Sequence, residues 1–266
     1  MAKWAINRSG YYRSLIYIQF LGVLVLLGPA LLSGVTLEIA LAYWELLLVL
    51  GVLNLIANYS LFYAYQHGQL SVIAPIVATF SIYTVGLSFL FLGERPNLWQ
   101  IGGIGTAIFG VILISIPYKG FHFDSYRKML PGVGAGLLSA VTFGVLFFLF
   151  KYSVVPLGPL FPILIFRTMT VMVLLLDSRI RRSPVFISQK KVVLLLLVAG
   201  GLDAVSYFLY NAGIEVEYAS VVATLCGLYP AVSILLARIY LHEQLAPFQL
   251  AGAVFILFGI SFISFG

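Results

Sequence analysis

Residues 92–115 read LGERPNLWQIGGIGTAIFGVILIS, and residues 241–264 read LHEQLAPFQLAGAVFILFGISFIS. At an offset of 149 residues, Leu92, Glu94, Gln100 and Gly103 fall on Leu241, Glu243, Gln249 and Gly252. Phe109, Gly110, Ile114 and Ser115 then fall on Phe258, Gly259, Ile263 and Ser264. A long repeat made of apolar runs predicts a membrane protein of two sequence halves, with its working site expected between the halves.

Composition agrees. The chain is 62% hydrophobic and 9% charged, whereas a soluble domain is about half apolar and about a quarter charged. Such a chain cannot cover a water-facing surface, so the bilayer is its solvent and lipid its constant partner. The net charge of +6 does not indicate nucleic acid, because the basic residues sit in short gaps between apolar runs, where they set orientation. The single cysteine, Cys226, lies inside an apolar run, which rules out an internal disulfide.

Nine runs are long enough to cross a hydrocarbon core of about 30 Å as helices. They cover 14–33, 44–65, 70–92, 98–117, 132–152, 158–177, 192–212, 218–240 and 247–265. The runs are too long for barrel strands, and backbone in lipid must satisfy itself within each segment, so the reading is all-α. Lys3, Arg8 and Arg13 ahead of the first run resemble a signal peptide, but the run is long for a signal core and further spans follow.

The expected organisation is a polytopic membrane helix bundle in two repeat halves, four spans in 1–117 and five in 131–266, with 118–130 as linker. Adding 149 pairs the first four spans with the last four and leaves 132–152 alone. Its counterpart would end near Lys3, opposite Lys151, which reads as a pattern without its first helix. Either Met1 is an internal start or the protein works with nine spans. Alternation then places 12 of the 15 Lys and Arg residues on one side and only Arg95 and Lys151 on the other, with Arg167 inside a span. The positive-inside rule makes the first side cytoplasmic, with Met1 inside and Gly266 outside. With five helices per half the repeats would be inverted.

The stretches SVIAPIVATFSIYTVGLSFLFLGERPNLWQIGGIGTAIFGVILIS and ASVVATLCGLYPAVSILLARIYLHEQLAPFQLAGAVFILFGISFIS each resemble the closing helices of an EamA-type half. The resemblance is to the drug/metabolite transporter superfamily and covers nearly the whole chain. It implies ten helices in two inverted halves, both ends cytoplasmic, and movement of small organic solutes, often outward. This chain departs by one helix, and its charge bias opposes the family orientation around Arg179–Lys191.

Several residues are candidates for the substrate pathway. Asp203 sits near the centre of the 192–212 run, followed by Tyr207, Tyr210 and Asn211 at i+4, i+7 and i+8, all on one helical face. A charge at that depth costs a few kcal/mol unless paired or hydrated. Its repeat partner is Asn54, with Asn58 one turn further on. Two polar stripes at matching positions suggest a shared cavity, although such residues also hydrogen-bond neighbouring helices. Arg167 lies mid-span at similar depth and is the expected partner of Asp203. Pro230 cannot donate to the helix ladder, so the carbonyl of Cys226 loses its bond and a kink is expected.

Other residues have structural readings. Glu94 and Glu243 sit where an acid can cap the next span. The stripe Gly132, Gly136, Ala140 and Gly144, and the cluster Gly102, Gly103, Gly105 and Gly110, suit close helix contact within the chain or in a homodimer. Tyr59, Tyr63 and Tyr83 could line a cavity. No metal-ligand motif or phosphate loop is present, so no cofactor or metal is expected. The expectation is therefore a multi-pass transporter of the cell membrane, carrying an unknown small molecule by alternating access. The alternatives are a nonfunctional truncated remnant, a lipid-carrier flippase, and a membrane-embedded lipid-modifying enzyme.

Overall fold

In the computed structural model, residues 2–32, 34, 37–68, 70–115, 123–182, 185–229 and 247–264 are described. Every regular element among them is a helix. In chain order these are α1 (Ala2–Ser9), α2 (Tyr11–Leu31), α3 (Leu37–Ala42), α4 (Trp44–His67), α5 (Leu70–Ala78), α6 (Phe80–Phe91), α7 (Leu98–Ser115), α8 (Phe123–Leu157), α9 (Phe161–Ile180), α10 (Lys190–Val216), α11 (Ala219–Cys226) and α12 (Pro247–Ser264). Among the described residues, six stretches are long and apolar enough to cross a membrane: Tyr11–Leu31, Trp44–His67, Ile73–Phe91, Pro131–Leu157, Phe161–Ile180 and Lys190–Val216. Shorter apolar helical stretches, Leu98–Leu113 and Leu250–Ile263, lie in α7 and α12. Residues 230–240 of the 218–240 run lie outside the described residues.

Three local features differ from the sequence reading. The 70–92 run divides at Thr79, whose N–H and Oγ1 both donate to the Ile76 carbonyl, at 3.2 and 2.7 Å. Pro75 lies inside α5, and its missing N–H weakens the ladder one turn before the break. Phe123–Leu130 belongs to α8, so the second part of the 118–130 stretch is helical. Finally, α1 is a separate helix closed by Gly10 at φ 83°, whose N–H bonds the Ile6 carbonyl at 2.8 Å. Gly158 closes α8 in the same way, at φ 67° with a 2.8 Å bond to the Val154 carbonyl. A positive φ at the closing residue is one that glycine adopts without a Cβ penalty.

The helices form two compact units, Met1–His67 with Leu149–Val216 (unit 1) and Gly68–Phe148 with Glu217–Gly266 (unit 2). Each unit draws on both sequence halves, and each pairs repeat-related helices. In unit 1, α2 packs on α9 and α10, and α4 packs on α9. The Tyr12 hydroxyl donates to the Leu174 carbonyl at 2.5 Å and to Asp177 at 3.0 Å, while Gln19 meets Arg167. Rising numbers on α2 meet falling numbers on α9, so these repeat partners run antiparallel. The repeat extends to the close contacts. At Gly51 of α4 a Cβ would fall 2.8 Å from Met169 of α9, and at its partner Gly200 of α10 a Cβ would fall 2.8 Å from the Ile18 carbonyl of α2.

Unit 2 is organised around α7 and α12. A Cβ at Gly103 would lie 2.7 Å from the Gly259 carbonyl, and one at Gly110 would lie 2.7 Å from the Gly252 carbonyl. These two contacts exchange under the 149-residue offset, so α7 and α12 also cross antiparallel about the repeat-related pair Ala107 and Ile256. Gly144 of α8 admits Tyr83 and the Phe80 carbonyl, and its own carbonyl accepts from Thr84 Oγ1 at 3.0 Å. These glycines are thus used within the chain.

Candidate functional site

The charged centre of unit 1 lies where α2, α9 and α10 meet. Arg167 is the seventh residue of α9 and Asp203 stands at the midpoint of α10. Arg167 Nη2 donates to Asp203 Oδ2 at 2.6 Å, and Nη1 donates to Gln19 Oε1 of α2 at 3.0 Å. The guanidinium carbon stands 4.8 Å above the Tyr207 ring, a cation–π arrangement that gains strength where water is excluded. Gly22 makes room for it, since a Cβ there would fall 2.5 Å from Nη1. Phe150 stacks on Phe166 at 5.5 Å, and both rings contact Tyr207.

The two charges are unequally covered. The Arg167 side chain is fully buried, whereas that of Asp203 is 35% exposed. A cation so enclosed persists only with its counter-ion and hydrogen bonds in place. One donor is still unmatched: the buried Nε–H of Arg167 has no partner among the described residues. An orphan of this kind costs about 1–3 kcal/mol.

A second polar cluster lies between α4 and α9. Asn54 Nδ2 donates to Thr170 Oγ1 at 2.9 Å, and Asn58 Nδ2 donates to Asn54 Oδ1 at 2.8 Å and to the Asn54 carbonyl at 3.0 Å. Asn54 and Asn58 are both buried, Asn54 completely. Tyr210 is also buried and packs on Phe150. Asn211 Nδ2 donates to the Pro159 carbonyl at 3.0 Å, while its Oδ1 has no hydrogen bond among the described residues.

The structure therefore brings Arg167, Asp203 and Tyr207 together and gathers Asn54 with Asn58. It sets Tyr210 and Asn211 at the aromatic wall and the α8–α9 turn. Pro230 lies outside the described residues; α11 already ends at Cys226, with Gly227 as its C-cap. Sequence reasoning missed Gln19, Gly22 and Thr170. A glutamine inside an apolar run was the available signal for the first, and nothing short of coordinates reveals the other two.

Glu94 has an unexpected partner. Its carboxylate accepts from the N–H groups of Ala219 and Ser220 at 2.7 and 3.0 Å and from Ser220 Oγ at 2.5 Å. It caps α11 of the second repeat rather than the next helix, α7. The α7 start is closed locally, by reciprocal bonds between Asn97 and Gln100 at 3.1 and 2.9 Å. Tyr59 and Tyr63 join Tyr11 and His67 in an aromatic cluster, with Tyr11 and Tyr59 hydroxyls 2.9 Å apart.

A membrane-embedded ion pair in a duplicated, antiparallel helical frame narrows the choice of families, and comparison with known proteins decides it. The profile of the EamA-like transporter family matches residues 1–116 and 130–265. The chain belongs to the EamA-like transporter family. An uncharacterized transporter of Clostridium kluyveri is 23% identical over 253 residues, covering 93% of this chain and 81% of that protein. An uncharacterized protein of Methanocaldococcus jannaschii is 39% identical over 69 residues, which is 26% of this chain and 50% of that protein. A solved crystal structure superposes with a TM-score of 0.76, covering 98% of this chain and 91% of that one at 16% identity, and so shares the fold. This EamA-like chain is thus a polytopic integral membrane protein of the drug/metabolite transporter type, in a family whose members are transporters rather than enzymes.

Proposed function

We propose that this EamA-like protein carries small organic solutes across the cell membrane by alternating access, with Asp203 and Arg167 on the substrate pathway. The single observation that supports this is the unequal pair. A fully buried Arg167 holds a partly exposed Asp203 at the midpoint of a spanning helix. A carboxylate that reaches the surface of its unit at the middle of a spanning helix is placed to meet a solute, and ionisable residues inside membrane spans characteristically mark solute or ion pathways.

The inverted repeat supports the mechanism. Two copies of one unit inserted in opposite senses can exchange conformations, so that a form open to one side implies a form open to the other. In this reading 1–117 and 131–266 are the two exchanging halves, and the side carrying most of the Lys and Arg residues is cytoplasmic.

The test is flux in liposomes reconstituted with purified protein and a panel of small organic solutes. Asp203→Asn and Arg167→Ala are each expected to abolish or strongly reduce uptake while the protein still inserts and remains monodisperse. Undiminished flux in both single variants would remove these residues from the pathway. Absence of flux for every solute with well-folded wild-type protein would remove transport itself.

A further inference from the structure

The Arg167–Asp203 pair is half-made. A guanidinium and a carboxylate fit best through two parallel bonds, as fork to fork. Asp203 takes only Nη2, through Oδ2. Gln19 holds Nη1. The remaining donor, Nε–H, shares the side-on edge of the guanidinium with Nη2, and it is buried with no partner among the described residues.

The socket around the guanidinium is otherwise built. Gly22 supplies the room, Gln19 fixes one nitrogen and the Tyr207 ring lies beneath. The cation is therefore fixed in place, and its counter-ion is the member of the pair that reaches the surface of the unit.

We propose that Asp203 is an exchangeable counter-ion and that the transported solute bears a carboxylate, which takes Nε–H and Nη2–H together when Asp203 turns away. The proposal rests on the transport reading above and names its substrate class. A planar carboxylate fills both side-on donors, whereas Asp203, tethered to α10, fills one. A neutral amide offers a single weaker acceptor, and a cation would meet Arg167 as a like charge. The bound Asp203 keeps the empty site from presenting an uncompensated charge to the membrane interior, so carboxylate binding is a swap of one anion for another.

Three probes of one shape separate these cases: benzoate, benzamide and benzamidine, added at millimolar concentration to the full-length protein in detergent while its unfolding temperature is followed. Benzoate is expected to raise it, and the other two to leave it unchanged. In Asp203→Asn, benzoate should bind about tenfold more tightly, because no carboxylate competes for the fork. In Arg167→Lys, which keeps the charge but loses the fork, the benzoate response should disappear. Stabilisation by benzamidine, or an equal response to benzoate and benzamide, overturns the proposal. Should Arg167→Lys not fold, Asp203→Asn decides alone, and an unchanged or weaker benzoate response there overturns it. Because binding is read without flux, a benzoate response with no transport of any solute sinks the transport reading and keeps the carboxylate site. Flux of other solutes without a benzoate response does the reverse.

Discussion

In unit 2 the repeat partners α7 and α12 meet backbone to backbone at Gly103, Gly110, Gly252 and Gly259. In unit 1 the repeat partners α2 and α9 meet through Tyr12, Gln19 and Arg167. Both pairs are antiparallel and come from the same duplication, yet one seam kept its symmetry and the other lost it. Gly103 and Gly110 fall on Gly252 and Gly259, so the α7–α12 crossing looks the same from either repeat. Arg167 falls on Ile18, Asp203 on Asn54 and Tyr207 on Asn58. The charged pair therefore exists in one repeat, and the positions that correspond to it in the other are the neutral Ile18 and Asn54. Close packing in lipid needs small residues on both sides, and this preserves a symmetric seam. A charge needs only one partner, so a single pair can arise in one copy. The asymmetric seam is where chemistry specific to this chain should be sought.

The largest expected effect breaks the asymmetric seam. Asp203→Ala leaves a fully buried guanidinium without its counter-ion, and breaking a pair in this way costs about 3–5 kcal/mol. Arg167→Ala leaves a carboxylate that is 35% exposed and can be hydrated, so it should cost clearly less. Thermal unfolding in detergent ranks the two. Equal losses would mean that the exposure difference does not govern the pair.

The symmetric seam should respond to size rather than charge. Gly103→Ala places a methyl 2.7 Å from the Gly259 carbonyl oxygen and 2.8 Å from the Ile263 nitrogen. Backbone on a packed helix cannot yield as a side-chain tip can, so the expected loss is about 1–3 kcal/mol. Gly110→Ala should match it closely, because it meets Gly252 and Ile256 in the repeat-related geometry. Unequal unfolding temperatures for the two variants would show that the crossing is less symmetric than its contacts.

Much of this contrast was readable before any coordinates. Recurrent glycines at one offset mark a close crossing, because only a missing side chain lets two backbones approach. A lone Arg and a lone Asp in apolar runs must find each other, because hydrocarbon offers nothing else. The direction in which Asn54 and Asn58 face was not readable. Four-residue spacing places them on one helical face, but a face turned to a neighbouring helix and a face turned to water carry the same polar pattern in a membrane bundle. Both side chains are in fact enclosed within unit 1, and of the polar stripes Asp203 is the one that reaches its surface. Glu94 illustrates a second limit. Proximity in sequence favoured α7 as the helix it caps, and its actual partners lie more than a hundred residues away, at Ala219 and Ser220.

That cap ties the two repeats together inside unit 2, and its removal should have an intermediate effect. Glu94→Ala releases two helix N–H groups and the Ser220 hydroxyl, at about 1–2 kcal/mol. Glu94→Gln keeps one acceptor oxygen and should cost roughly half as much. If Glu94→Ala proves neutral while Ser220→Ala is destabilising, the cap is local to α11 and does not join the repeats.

The smallest expected effect has the opposite sign and sharpens the glycine argument most. Gly102 is adjacent to Gly103 on α7, but a Cβ there would meet nothing within 4 Å, and Gly105 is equally open. Neither position needs glycine for packing, and both have ordinary negative φ. Alanine is the better helix former by about 0.5–1 kcal/mol, so Gly102→Ala should raise the unfolding temperature slightly where Gly103→Ala lowers it. One helix would then carry neighbouring glycines of opposite consequence, one required by the facing backbone and one merely tolerated. A loss at Gly102 comparable to that at Gly103 would mean that a surface with no contact among the described residues is covered when the protein sits in its membrane.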